Sequence, residues 1–379
     1  MKRNSLFLFF FILSIKIFSF QDNSKEVSYD SIYKLVVVNG KQKQNTKALF
    51  YSKKMLKKAL KNSNELQEAK AYYKIAEFQR KLNFKDSAFY FYNKSKQLYH
   101  KQNDSIQLGR SLLNIAIIES DFGSFSNSDS IAVQALKYLK GRKRKTIISI
   151  YNCLAINSKK QHLYKEAIYN YKKTLALKPS VRQQIAIKNN LANVYKELKN
   201  YSKTISILEG LLKNSISNQK TKARIIDNLA HTKWLNKTKE AVLKDFILAE
   251  SIRIEEKDNY GLIASYSHLS DFYYKQNNSK SLFYANKMYK VAKKHKATNG
   301  LLEAIDKIVT LQTAQKSIAY YKESIYLRDS VRKLETKRQY KFAKIKYNYE
   351  VEEKQKLKFE ALAAENKLIA EQENSQKKK

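Results

Sequence analysis

An apolar residue followed by a small one recurs six times at nearly even intervals: Ile75-Ala76, Ile115-Ala116, Leu154-Ala155, Leu191-Ala192, Leu229-Ala230 and Leu269-Ser270. The steps run from 37 to 40 residues. Self-similarity at such a period marks a stacked repeat architecture, and it constrains the fold more than any other feature of the chain. A second set follows 13 residues after each pair begins, at Ala88, Ser128, Ala167, Thr204, Val242 and Leu282. Positions four and seven further on add Tyr92/Ser95, Ala132/Ala135, Tyr171/Thr174, Leu208/Leu211 and Phe246/Ala249. The sixth unit fits better with a turn one residue shorter, giving Ser281, Ala285 and Met288.

The spacing has a physical cause. Small residues in the middle of one helix and at the start of the next let two backbones approach, and larger residues three or four positions away fill the groove beside them. One such hairpin cannot bury its apolar face alone, so neighbouring hairpins stack. With one Pro and seven Gly among 379 residues, the chain lacks the turn residues that a strand-rich fold needs. The expected fold is all-α, a right-handed solenoid of about eight helical hairpins over residues 28–331. Its end units are Ser28 to Leu60, with Ala48, Ser52 and Met55 on the second helix, and Leu301 to Val331, with Ser317, Tyr321 and Ser324.

The unit from Ser149 to Pro179 carries Tyr151, Leu154, Ala155, Ala167, Tyr171 and Thr174, with the proline just past its second helix. It resembles the tetratricopeptide repeat, down to that terminating proline. The small residue of the first helix is Ala or Ser here, where the family often has Gly, and most units exceed the 34-residue period of the family.

Residues 332–379 lack Gly and Pro and are rich in Lys, Glu, Gln and Ala, which predicts one long charged helix. A heptad seam runs through Phe342, Ile345, Tyr349, Phe359 and Ala363, broken by Glu352, Lys356 and Asn366, so a weak homodimer through a coiled coil is expected. The run from Tyr320 to Ser330, then Tyr347-Asn348-Tyr349-Glu350 and Leu362 to Leu368, is similar to the sensor half of repeat-containing signalling proteins of Bacteroidetes. That resemblance implies an exported array leading through a helix to a membrane span, followed by a histidine kinase or a DNA-binding regulator. The sequence ends at Gln376-Lys377-Lys378-Lys379, where the span would begin, and carries no kinase or helix-turn-helix motif. It reads as a truncated or split sensor, or as a stand-alone adaptor.

At the other end, Met1-Lys2-Arg3 precedes an apolar run from Leu6 to Ile15 that Lys16 interrupts. The run is too short for an ordinary span and reads as a signal peptide over residues 1–20, or an uncleaved anchor that would associate the chain with a membrane. The expected location is therefore the periplasm or cell envelope.

The formal net charge of +40 raises nucleic acid as a partner. Against it, the basic residues are mostly Lys, they are spread from Lys25 to Lys379, and they accompany an excess of Asn, Ile, Tyr and Phe that AT-rich codons explain. Cys153 lies in an apolar helical pattern and reads as a buried thiol. His100, His162, His231, His268 and His295 show no metal-ligand spacing, and there is no glycine-rich phosphate loop. The sequence points to no enzyme, no cofactor and no metal.

In a tetratricopeptide superhelix the first helix of each hairpin lines the concave side. The inward position before each apolar pair holds Asn114, Cys153, Asn190 and Asn228, with Lys74 and His268 at the ends. An amide there can donate to and accept from a peptide backbone, and peptide-binding members of the family use Asn ladders at this position. Neighbouring inward candidates are Asn152, Asn189, Asn193, Arg224, Asp227, His231 and Trp234. The competing reading is that some of these amides cap or bridge adjacent helices. The chain thus reads as a non-catalytic solenoid that binds a protein or peptide segment, as the sensory or adaptor part of an envelope signalling system. The alternatives are a structural scaffold for envelope complexes and, from another class, a polyanion or nucleic-acid binder.

Overall fold

The computed structural model describes residues 27–213, 216–237 and 242–376. The leader at residues 1–20 lies outside them. Among the described residues there are sixteen helices and no strand. The first four hairpins are α1 (Tyr29–Lys41) with α2 (Asn45–Lys61), α3 (Glu65–Lys81) with α4 (Lys85–Lys101), α5 (Ser105–Asp121) with α6 (Phe125–Leu139), and α7 (Arg144–Lys160) with α8 (Tyr164–Ala176). The next three are α9 (Val181–Glu197) with α10 (Tyr201–Leu212), α11 (Gln219–Leu235) with α12 (Val242–Glu255), and α13 (Asn259–Tyr273) with α14 (Asn278–Lys294). Last come α15 (Thr298–Leu311) and α16 (Ala314–Gln376). Each helix packs chiefly on its neighbours in sequence, which makes the architecture a tetratricopeptide-type solenoid.

The repeat residues form the spine of the core. Ala76, Ala116, Ala155, Ala192 and Ala230 are fully buried, as are Ala88, Ser128 and Ala167 on the partner helices. Where the small residue is Ser or Thr, its hydroxyl bonds across the hairpin. Ser128 Oγ donates to the Ala116 carbonyl (2.7 Å) and Thr204 Oγ1 to that of Ala192 (3.2 Å). Ser270 and Ser281 each donate to the other's carbonyl, at 3.0 and 2.8 Å, so Ser281 is the contact residue of its unit. At Gly109 even a methyl group would be too much, because a Cβ there would stand 2.9 Å from Leu139.

Among the described residues seven helices start on a side-chain cap, including Asn64, Asp104, Asn200 and Asp258, whose oxygens accept from backbone amides three residues on. The turns within hairpins repeat one geometry, with a left-handed residue in the middle. Among the described residues it is glycine only at Gly123, while Asn83, His162, Lys199 and Lys275 take positive φ in other hairpins.

The C-terminal helix departs from expectation twice. It does not begin after the last hairpin: α16 is a single helix of 63 residues whose first part is the second helix of that hairpin. Within that part Ser317 and Ser324 are buried and Tyr320 and Leu327 pack on the α13–α15 cluster, whereas Tyr321 is 60% exposed. The inward face is therefore 317, 320, 324 and 327, one position back from Tyr321.

The rest of α16 also does not project freely. It returns to the second and third hairpins, where Phe342 stacks on Phe122 (centroids 3.9 Å apart) and meets Phe89 edge-on (5.0 Å). Arg338 donates to the Asp121 carbonyl (3.0 Å), Lys341 pairs with Asp86 (2.5 Å), Lys346 with Glu119 (3.0 Å) and Glu352 with Lys94 (2.9 Å). Phe342, Ile345 and Tyr349 of the heptad seam are thus packed or buried within their own chain, leaving Phe359 and Ala363 exposed. No helix among the described residues is long and apolar enough to cross a membrane.

A groove on the first helices of hairpins three to seven

The faces of α5, α7 and α9 enclose a pocket of roughly 380 Å³. Its walls are largely apolar, from Ile117, Ile148, Ile156 and Ile187, and its polar groups are Ser120, Asp121, Ser149, Asn152, Gln183 and Asn190. Apolar walls with sparse convergent amides suit a segment whose backbone needs hydrogen-bond partners and whose side chains need burial. Asn190 also borders an adjoining space with Lys159, Lys160 and Tyr164, so it stands between two compartments of the groove.

The structure separates the candidate residues into four groups. Asn152, Asn190 and Asn193 are half-buried on the first helices, and the first two line the pocket. Asn190 also lies against the buried Tyr171 hydroxyl, which burial pushes up to about 12. Asn114 and Asn228 are partly committed to neighbours. Asn114 donates to the Tyr73 hydroxyl (3.0 Å) and the Arg110 carbonyl (2.9 Å), and Asn228 donates to Asn189 Oδ1 (3.2 Å).

Asn189 and Asp227 do not face the groove. They are 2% and 1% exposed, because their side of α9 and α11 is the side on which the next helix packs. Asp227 Oδ2 accepts from Arg253 (3.1 Å) and lies 3.0 Å from His268 Nδ1. Burial pushes the Asp227 carboxyl up, but His268 and Arg253 outweigh it and hold it below the ordinary carboxylate range. Arg253 itself, 2% exposed, also donates to the Gly261 carbonyl and to Ser265 Oγ, both at 2.6 Å, which ties α11, α12 and α13 together.

Arg224 is exposed on α11, and His231 and Trp234 are half-buried there. The His231 ring stacks on His268 (3.9 Å) and on Trp234 (5.6 Å). Burial, then the neighbouring His268 and Lys196, push His231 down to about 2, so it is a neutral acceptor at physiological pH. Cys153 is 6% exposed and burial pushes its thiol up to about 11, which leaves it without nucleophilic character.

Lys196, Gln183 and Arg253 are the residues that sequence reasoning missed. Lys196 was within reach, since it continues the Asn189–Asn193 row by one helical turn. Arg253 carried a weaker signal, a lone arginine between Ile252 and Ile254 on a second helix.

No known protein family matches the chain, and no curated protein sequence does either. Solved structures do. The apo form of the quorum sensor NprR from B. thuringiensis superimposes with a TM-score of 0.66 at 14% identity, over 80% of this chain and 90% of that one. The apo form of RapI gives 0.57 at 16% identity, over 82% and 89%. A Rap protein complexed with competence and sporulation factor gives 0.51 at 17%, over 70% and 75%. At these identities the likeness is one of fold, and by fold the chain stands among the tetratricopeptide-like helical solenoids.

Proposed function

We propose that this chain is a non-catalytic binding solenoid that takes an extended segment of another protein, or a free peptide, into the groove of α5, α7 and α9. The observation that carries this reading is the pair Asn152 and Asn190, half-buried amides that face one apolar-walled pocket. Amides so placed serve either polarity of a peptide bond, and isoleucine walls take apolar side chains of any sequence. Two of the solved solenoids of this fold are a quorum sensor and a Rap protein complexed with competence and sporulation factor, which supports a sensing role. In our reading the chain is the sensory or adaptor part of a signalling system in the cell envelope, delivered there by the leader at residues 1–20.

The double substitution N152A/N190A tests the groove. Capture of the partner in a pull-down should be lost while the melting temperature stays within a degree or two, because neither amide is buried among core residues. Survival of capture would refute the groove as the site. Fractionation of cells that express the tagged full chain tests the location separately. Recovery with cytoplasmic proteins would remove the envelope from the reading and leave the groove untouched.

A further inference from the structure

The pocket on α5, α7 and α9 does not end at those helices. Its wall residues Ser120, Asp121 and Ile156 also border a second space of roughly 400 Å³, whose far side is built by Glu335, Arg338 and Gln339 of α16. Phe122 and Phe125 add apolar surface to that space, and Lys160 stands at its edge. The pocket and the space beneath α16 are therefore continuous around Ile156. The second of them exists because α16 returns to the third hairpin. Each alone is near the lower end of the ~300–1,000 Å³ that ligand sites enclose, and together they lie well inside that range.

Along this stretch the side chains of α16 divide between two tasks. Arg338 donates to the Asp121 carbonyl (3.0 Å) and lies over the Phe122 ring (4.7 Å to the centroid), Lys341 pairs with Asp86 and Lys346 with Glu119. These contacts hold the helix on the hairpins. Glu335 and Gln339 are one turn apart and so share a face. Both border the space beneath α16, and among the described residues neither forms a hydrogen bond or an ion pair. Tyr340, the next residue, is 71% exposed and borders neither cavity. A carboxylate and an amide so placed can accept from a backbone N–H, and the amide can also donate to a carbonyl.

We propose that α16 is the second wall of the binding site. The extended segment that enters at Asn152 and Asn190 continues past Ile156 and lies beneath α16, where Glu335 and Gln339 bind its backbone. The inference rests on the groove reading above. A ligand that touches both the hairpins and α16 binds the docked helix better than the released one. By linkage, whatever strengthens docking strengthens binding, and the bound segment in turn holds the helix down. The occupant is a segment long enough to fill both spaces, and a shorter one that stops at Ile156 gains nothing from α16.

The test uses the full chain and fluorescent peptides selected on it from a random library, of which those that lose binding to N152A/N190A are kept. For these, E335A/Q339A should weaken binding at least about tenfold with an unchanged melting temperature, because both side chains are exposed. Phe342→Ala, which releases the helix, should weaken it as much. A photo-crosslinking side chain in place of Gln339 should join to the peptide, and the same group in place of Tyr340 should not. Trimming the peptide from the end that crosslinks should bring the unaltered chain and E335A/Q339A to equal affinity. Equal affinity of the untrimmed peptides for these two chains, or no crosslink at position 339, would overturn the α16 wall and leave the groove standing. If E335A/Q339A melts at a lower temperature, the crosslinks decide, and labelling at both positions or at neither would overturn the proposal. Absence of any selected peptide sensitive to N152A/N190A would take down the groove and the α16 wall together.

Discussion

At the scale of single residues, two features set how stability responds to change. The first is the Asp227–Arg253 contact, where both partners are almost wholly buried. Such a pair adds little over an apolar replacement, but removing one member strands the other. Asp227→Ala should therefore cost about 3–5 kcal/mol, read as a fall in the urea midpoint. The second is His231, which is neutral in the folded chain and basic in the unfolded one. A depressed folded pKa contributes stability above the unfolded value of 6.5 and loses it as pH falls below that value. From pH 6.5 down to about pH 5 the loss through this group should approach 1.4 kcal/mol per pH unit, and H231Q should flatten that limb in denaturant melts. The turns offer an opposite case. Lys199 sits at φ 56°, where a side chain crowds its own carbonyl, so Lys199→Gly should stabilise by about 1 kcal/mol.

At the scale of elements, the hairpins were legible because two constraints coincide at the same positions. Ala88 and Ala167 must be small for backbones to touch, and Tyr92 and Tyr171 must be large to fill what remains. Local spacing records both requirements. What could not be read locally was the return of α16, since Phe342, Ile345 and Tyr349 look alike whether their partner is a second copy or a distant hairpin. Their register is set by contacts more than 200 residues away, such as Lys346 with Glu119. The groove was legible in part for the same reason. A period of 3.6 residues places Asn189 and Asn190 near each other, but a single step of 100° turns one inward to the next helix and the other to the open pocket. The docking of α16 hangs on Phe342 between Phe89 and Phe122. Phe342→Ala should release the helix beyond about residue 334, and limited trypsin digestion should then cut at Lys341, Lys344 and Lys346 well before the hairpins. Protection equal to the unaltered chain would show that the flanking ion pairs hold the helix by themselves.

At the scale of the whole molecule, α16 joins two regions that a linear array would keep apart. Arg328 grips Asp306 of the last hairpin with its guanidinium (2.9 Å to each carboxylate oxygen), and ten residues later Arg338 reaches the Asp121 carbonyl of the third. Ten residues of helix span about 15 Å, so the far end of the array is held about that distance from its first third. The helix packs on Ile115 and Glu119 of α5 and on Phe122 just past it, while Ile117 of α5 turns to the groove. One helix therefore senses the pocket on one side and carries the return of α16 on the other. An open solenoid frays, because its outermost repeat has one neighbour and melts without asking the rest. Here the helix that continues from the outermost repeat is docked on the second and third hairpins, so opening of that repeat also has to work against the Phe342 contacts. Amide hydrogen exchange should then follow an unusual order, with α4, α5 and the first half of α16 opening as one cooperative unit rather than in sequence from the C-terminus. Removing residues after 331 should restore the ordinary order, with exchange in α15 and α16 becoming fastest. The fold would behave less like a spring and more like a closed hoop, in which loosening one contact is felt around the whole circumference.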